Sequence, residues 1–313
     1  MNGRAHGHPS PAALEGSRSG IRAVKVSLLG LGLTALGQLA VVLLSGSVAL
    51  LADTVHNAAD ALTAVPLWVA FALGRRPPSR RYPYGLHRAE DLAGVLIVLA
   101  IAASACLAAV ESVRRLLDPR PIENLPWVAA AGAVGFLGNE AVAWYRIRVG
   151  RRIGSAALVA DGLHARTDGL TSLGVLAGAG GAALGFEWAD PMAGLAITVA
   201  ILLVLAQAAR GVIRRLLDGT EEATVILLEE TAAAVPGVEH VTSARARWTG
   251  HVLNAELEIQ VDPTLTVEQG HRIAEEVEHA LLHRFPHLRG ATVHVDPHDH
   301  RPPSGPTAHH RRG

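Results

Sequence analysis

The sequence predicts an α-helical membrane protein of six transmembrane helices, followed by a C-terminal α+β domain in the order helix, strand, strand, helix, strand. Three observations predict it. Six apolar stretches are each long enough to cross a bilayer, which takes about 20 residues. After Arg210 the pattern changes to short alternating and helical periodicities. Half of the residues are hydrophobic, 18% are charged and 32 of 313 are glycine, a composition suited to close-packed membrane helices. The formal net charge is zero, so nothing points to nucleic acid. The single Cys106 lies in an apolar run and can form no intrachain disulfide.

The six spans run from Ala23 to Leu44, Val48 to Leu73, Asp91 to Val113, Leu125 to Tyr145, Ile153 to Leu184 and Trp188 to Ala209. Only Ser45, Gly46 and Ser47 separate the first two, and a short segment around Phe186 separates the last two, so both pairs are tight hairpins. Residues 1–21, rich in Gly, Ser and His, read as a disordered tail and not as a cleavable signal, because they hold no apolar core. Basic residues set the orientation. Arg75, Arg76, Arg80, Arg81 and Arg88 follow the second span; Arg146, Arg148, Arg151 and Arg152 follow the fourth; Arg4, Arg18, Arg22 and Lys25 precede the first. The opposite side offers Arg114, Arg115 and Arg120, accompanied by Glu111, Asp118 and Glu123. By the positive-inside rule both termini are cytoplasmic, in a multi-pass protein of the cell (inner) membrane.

Residues 211–297 form the soluble domain. A helix over Glu221–Val235 is followed by strands over Val238–Trp248 and Val252–Val261. Thr266 and Gln269 have the spacing of a capping box and open an amphipathic helix that ends near Arg284, before Pro286. Ala291–Val295 is the last strand. Residues 298–313 make a His-containing tail with His298, His300, His309 and His310.

One pattern occurs twice inside apolar stretches: LADTVHNAADALT from Leu51 and VADGLHARTDGLT from Val159. Residues four apart lie one turn above each other on a helix, so His56 with Asp60, and His164 with Asp168, each form half of a site. A carboxylate at the centre of a membrane helix costs about 2.5–3.5 kcal/mol on insertion scales, and a divalent cation would offset it. Two imidazoles and two carboxylates suit a tetrahedral ion such as zinc, with cobalt and cadmium as neighbours. Polar ties between helices are the competing reading of a single pair; two matched copies favour the metal. Asp53 and Asp161 fall one turn before the histidines, as partners or mouth residues rather than ligands.

The soluble domain holds further candidates. His294 and Asp296 are two apart on a strand and share its face. His240 closes the first strand, Glu258 sits on the second and His271 opens the helix; spacing alone does not bring them together.

These motifs resemble the cation diffusion facilitator family. HNAAD in the second span, YGLHRAE from Tyr84 to Glu90, HARTD in the fifth span, DPMAG from Asp190 to Gly194, VDPTLTVEQGH from Val261 to His271 and VHVDP from Val293 to Pro297 carry the likeness, which covers the chain from about Arg22 to Pro297. The resemblance implies a homodimeric divalent-cation efflux transporter of the zinc type, exchanging Zn2+ for protons by alternating access, with no enzymatic activity. It implies His56, Asp60, His164 and Asp168 as the transport site. It implies His87 as a loop metal site, although Leu86 stands where some relatives carry His. It also implies a cytosolic metal site of His240, Glu258, His271, His294 and Asp296, with Glu258 where His is usual, and a charge pair between Arg88 and Asp218.

Zinc would then be both the transported ion and a structural or regulatory one, and protons the counter-ion. The alternatives are another divalent metal (cobalt, cadmium, iron, nickel, manganese), a membrane metal sensor, and an intramembrane metallohydrolase. The last lacks a His-Glu-x-x-His motif, and four ligands would close its metal to water.

Overall fold

The computed structural model describes residues 11–45, 64–117, 125–186 and 188–298. Helix α1 spans Pro11–Ser45, α2 Ala64–Gly74, α3 Arg88–Leu117, α4 Leu125–Ile153, α5 Ala156–Ala183 and α6 Ala189–Leu216. They are followed by α7 (Glu222–Ala233), β1 (His240–Thr249), β2 (Val252–Val261), α8 (Val267–Arg284) and β3 (Leu288–Pro297). The chain divides into two units: residues 1–217 with Thr249–His251, and residues 218–248 with 252–313.

Among the described residues, three helices are long and apolar enough to cross a bilayer: Leu14–Val41, Arg88–Arg114 and Pro191–Leu216. Helices α4 and α5, of 29 and 28 residues, have the length but are interrupted by charge. Glu140 and Arg146 lie on α4, and Asp161, His164, Arg166 and Asp168 on α5. They pack against each other closely, and α5 packs in turn against α6 and α3. Their apolar neighbours, among them Leu158, Leu163, Ile147, Ile101 and Ile201, form the core of the helical unit.

α1 begins at Pro11, well before the apolar stretch and within residues expected to be a disordered tail. The fixed φ of proline suits the first helical position, where its missing N–H is not needed. Ser17, in the next turns, is fully buried, so this polar-looking stretch has packing partners that composition does not disclose.

Small residues set the distance between α4 and α5. A Cβ on Gly162 would lie 2.9 Å from the backbone nitrogen of Ile147, and one on Gly150 would lie 2.9 Å from that of Val159. The two helices therefore cross backbone to backbone, as membrane helices do where side chains vanish.

In the second unit, β1, β2 and β3 form a three-stranded sheet in that order. Gly250 and His251 alone join β1 to β2, a connection only antiparallel strands accept; β2 and β3 pair in parallel across α8. Leu253, Ala255, Leu257, Ile259 and Val261 of β2 are buried against Leu228, Val277 and Leu281 of the helices, while the intervening residues are more exposed. The predicted capping box is present: the Thr266 hydroxyl accepts from the Gln269 N–H, and the Gln269 side chain accepts from the Thr266 N–H at 2.8 Å. Just before it, the Thr264 N–H and hydroxyl both donate to Asp262 and hold its carboxyl below the ordinary carboxylate value.

Gly162→Ala is expected to lower the melting temperature of the detergent-solubilised protein, with a cost of about 1–3 kcal/mol from forcing a methyl into the α4–α5 crossing. A melting curve equal to the parent's would contradict the close approach. Thr266→Ala is expected to destabilise α8 by about 1 kcal/mol, read as faster amide exchange in its first turn.

Candidate metal site and its charged surroundings

The α5 half of the repeated motif lies in the most polar buried stretch of the helical unit. Asp161, His164 and Thr167 are buried and Asp168 half-buried. At 100° per residue, Asp161, His164 and Asp168 occupy one face within about 60° of arc. Neither ring nitrogen of His164 has a hydrogen-bond partner among the described residues. A buried imidazole with two unused nitrogens is costly, and one of those nitrogens is what a cation would take. Thr167 and Thr171 satisfy their own hydroxyls on the helix, donating to the carbonyls of His164 and Thr167 at 2.7 and 3.0 Å. They leave the histidine ring alone. The other half-site, His56 and Asp60, and also Asp53, lie outside the described residues.

Two ion pairs cross from α4 to α5 around this face. Arg146 Nη1 lies 3.1 Å from Asp161 Oδ2, with both side chains almost wholly buried. Arg166, between His164 and Asp168, donates from Nε to Glu140 Oε2 at 3.0 Å, with a second contact from Nη2 to Oε1. Neither pair was anticipated. Of the arginines that follow the fourth span, Arg146 belongs to the core and not to a loop, because α4 continues to Ile153. The signal was present: a hairpin turning near Gly154 brings position 146 beside position 161.

His87 stands just before α3 and is buried, in edge-on contact with the ring of His251 at 5.9 Å between centroids. His251 Nδ1 is 2.7 Å from Glu90 Oε2, and its Nε2 is 3.3 Å from the Ser17 hydroxyl. The Gly250 N–H donates to Asp91 at 3.1 Å, and Arg215 donates to the Gly250 carbonyl at 3.0 Å. Gly250 has φ +58°, and a Cβ there would sit 2.7 Å from the His87 carbonyl oxygen; only glycine fits. Arg88 donates to the Arg215 carbonyl at 3.4 Å and lies 3.9 Å from Asp91. Sequence reasoning found His87 and Arg88 but not His251, Glu90 or Asp91, because no local spacing links positions so distant in the chain.

The five soluble-domain candidates do not form one cluster within the chain. Glu258 pairs with His294 across β2 and β3, and His294 Nε2 is 3.2 Å from Asp296 Oδ1. These three share the sheet face turned away from the helices, where Arg245 lies 3.8 Å from Glu258. His271 lies on α8, beside Val293 and Val295, on the other side of β3. Alternation along the strand divides them. His240 stacks on His298 at 5.1 Å, and His298 Nδ1 is 2.9 Å from Glu239. Among the described residues no three His, Cys, Asp or Glu side chains are placed to hold one ion.

A unit of long apolar helices with a buried polar face, joined to a small α+β unit, has the organisation of a multi-pass membrane protein with a soluble domain. The cation efflux transmembrane domain family matches residues 24–217, and the family of cation efflux protein cytoplasmic domains matches residues 220–298. The chain belongs to the cation efflux, or cation diffusion facilitator, family. It is thus a cation efflux transporter of the membrane and not an enzyme. It is 61% identical over 287 residues to the probable cation efflux system protein Rv2025c of Mycobacterium tuberculosis, covering 92% of this chain and 86% of that protein. It is 25% identical to the manganese efflux system protein MneS of Bacillus subtilis, over 80% of this chain and 86% of the relative. Among solved structures, a nickel form of the MamM CTD is 36% identical, covering 25% of this chain and 98% of that one, with a TM-score of 0.24.

Glu90→Ala and His251→Ala are each expected to destabilise the protein by about 3–5 kcal/mol, because each strands the other's buried polar group. The double variant should cost clearly less than the two together, since the pair is one interaction. Additive losses in melting temperature would contradict a direct pair.

Proposed function

We propose that this chain exports zinc from the cytoplasm in exchange for protons, through a site of His56, Asp60, His164 and Asp168. The observation that carries the proposal is His164: buried on α5, its two ring nitrogens without hydrogen-bond partners among the described residues, and one turn from Asp168. The matched sequence of the second span supplies the complementary pair. Two imidazoles and two carboxylates suit zinc, while the metal panel stays open because relatives differ in the ion their names specify.

Metal and proton compete for the same ligands. Imidazole and carboxylate ligands must shed protons to bind metal and release the metal when protons return. A site that alternately faces cytoplasm and exterior then couples an inward proton gradient to outward zinc. The excess of arginines on the segments that follow the second and fourth spans supports cytoplasmic termini, with the membrane domain reaching to residue 210 and beginning with α1 rather than at residue 22, 211–297 as cytosolic domain and 298–313 as the His-containing tail.

The cytosolic domain would carry the homodimer contact. Because His271 and the His294–Asp296 pair lie on different sides of β3, a full ligand set with His240 and Glu258 would need a second chain. His87 would be the ligand of a separate loop site.

The test is zinc accumulation in sealed proteoliposomes with an acidic interior. Accumulation should follow the pH gradient in the parent and fall at least about tenfold in His164→Ala and Asp168→Ala. Accumulation indifferent to the gradient would remove the antiport, and full activity of Asp168→Ala would remove the site. Manganese, cobalt, cadmium and iron in the same vesicles separate a different metal from a different function.

A further inference from the structure

Asp161 is the third acidic or imidazole side chain on the ligand-bearing face of α5, one turn before His164 and about 4.5 Å from it along the axis. It is wholly buried, and a buried carboxylate at that place would ordinarily join the coordination of a nearby cation. What faces it is Arg146, itself among the largest fully buried side chains of the protein. The two approach to 3.1 Å, while Arg146 Nε and Nη2 and both Asp161 oxygens make no hydrogen bond among the described residues. Among the described residues the charge pairing is therefore the main polar interaction of both groups. The close crossing holds it in place, since a Cβ on Gly162 would lie 3.0 Å from the Arg146 Cβ.

We infer that Arg146 is a positioning and specificity-determining residue of the transport site, holding Asp161 out of the ligand set. The inference rests on the four-ligand reading given above. With Asp161 neutralised, the site offers nitrogen and oxygen donors in equal number and a charge of −2, which a divalent ion cancels. Without Arg146, a third carboxylate becomes available, and the site turns oxygen-rich and more negative. Imidazole suits zinc, whereas carboxylate oxygen suits manganese. Arg146 thus favours the softer ion by controlling a carboxylate that never touches metal in the parent protein.

The test compares manganese and zinc uptake by the full-length protein in proteoliposomes. Arg146→Gln should raise the manganese-to-zinc ratio by about tenfold. The ratio should stay near the parent's in Arg146→Lys, which keeps the charge, and in Arg146→Gln/Asp161→Asn, which removes both. A folded Arg146→Gln with an unchanged ratio overturns the inference.

Should that variant fail to fold, Asp161→Asn provides a second readout. Arg146 is then an uncompensated positive charge beside the site, and the KM for zinc should rise about fivefold or more, returning to the parent's value in the double variant. A folded Asp161→Asn with the parent's KM also overturns the inference. A purely structural pair would lower transport of both ions together and leave the ratio and KM unmoved. Loss of transport in His164→Ala with an unchanged ratio in Arg146→Gln defeats this inference alone; transport that survives His164→Ala defeats the reading beneath it.

Discussion

Everything in the helical unit depends on how charged side chains are accommodated in an apolar setting. An ionised group at the middle of a membrane helix costs several kcal/mol unless it is paired, solvated or bound to an ion. α4 and α5 carry two such pairs, Arg146–Asp161 and Arg166–Glu140, each with one partner on each helix. The pairs lie on both sides of His164 in the chain and tie the helices in one register and rotation. The glycines at 150 and 162 bring the backbones close enough for the buried pair to form. A polar site with unmatched nitrogens can persist because its neighbours are matched.

That arrangement also fixes the polar face. A helix pair tied by two ion pairs and a glycine crossing holds His164 and Asp168 in one relation to α4. The knot of Glu90, Asp91, Gly250 and His251 fixes a different place, at the start of α3, through buried hydrogen bonds that a single substitution would strand.

Local patterns were legible in the sequence. The capping box at Thr266, the apolar alternation of β2 and the helical His-x-x-x-Asp pair each depend on residues within a turn or a strand of one another. Contacts between distant positions were not. Arg146 has the composition of a loop arginine and becomes a core residue only because α4 extends past the apolar stretch; His251 gains its role from Glu90, far back in the chain. Residues 11–21 looked like tail because polarity hides helical packing such as that of Ser17. In the soluble unit the family resemblance grouped five candidate ligands, and the pleat of β3 separated His271 from His294 and Asp296, since strand neighbours two apart share a face but a helix packs on only one.

In the proposed carrier one divalent ion binds each chain at His164 and Asp168 with their counterparts in the second span. Equilibrium dialysis of the full-length protein against zinc at neutral pH, comparing the parent with His164→Ala/Asp168→Ala, tests it directly. The variant is expected to hold one zinc fewer per chain while its soluble-domain binding is unchanged. Equal stoichiometry in the two proteins would contradict it.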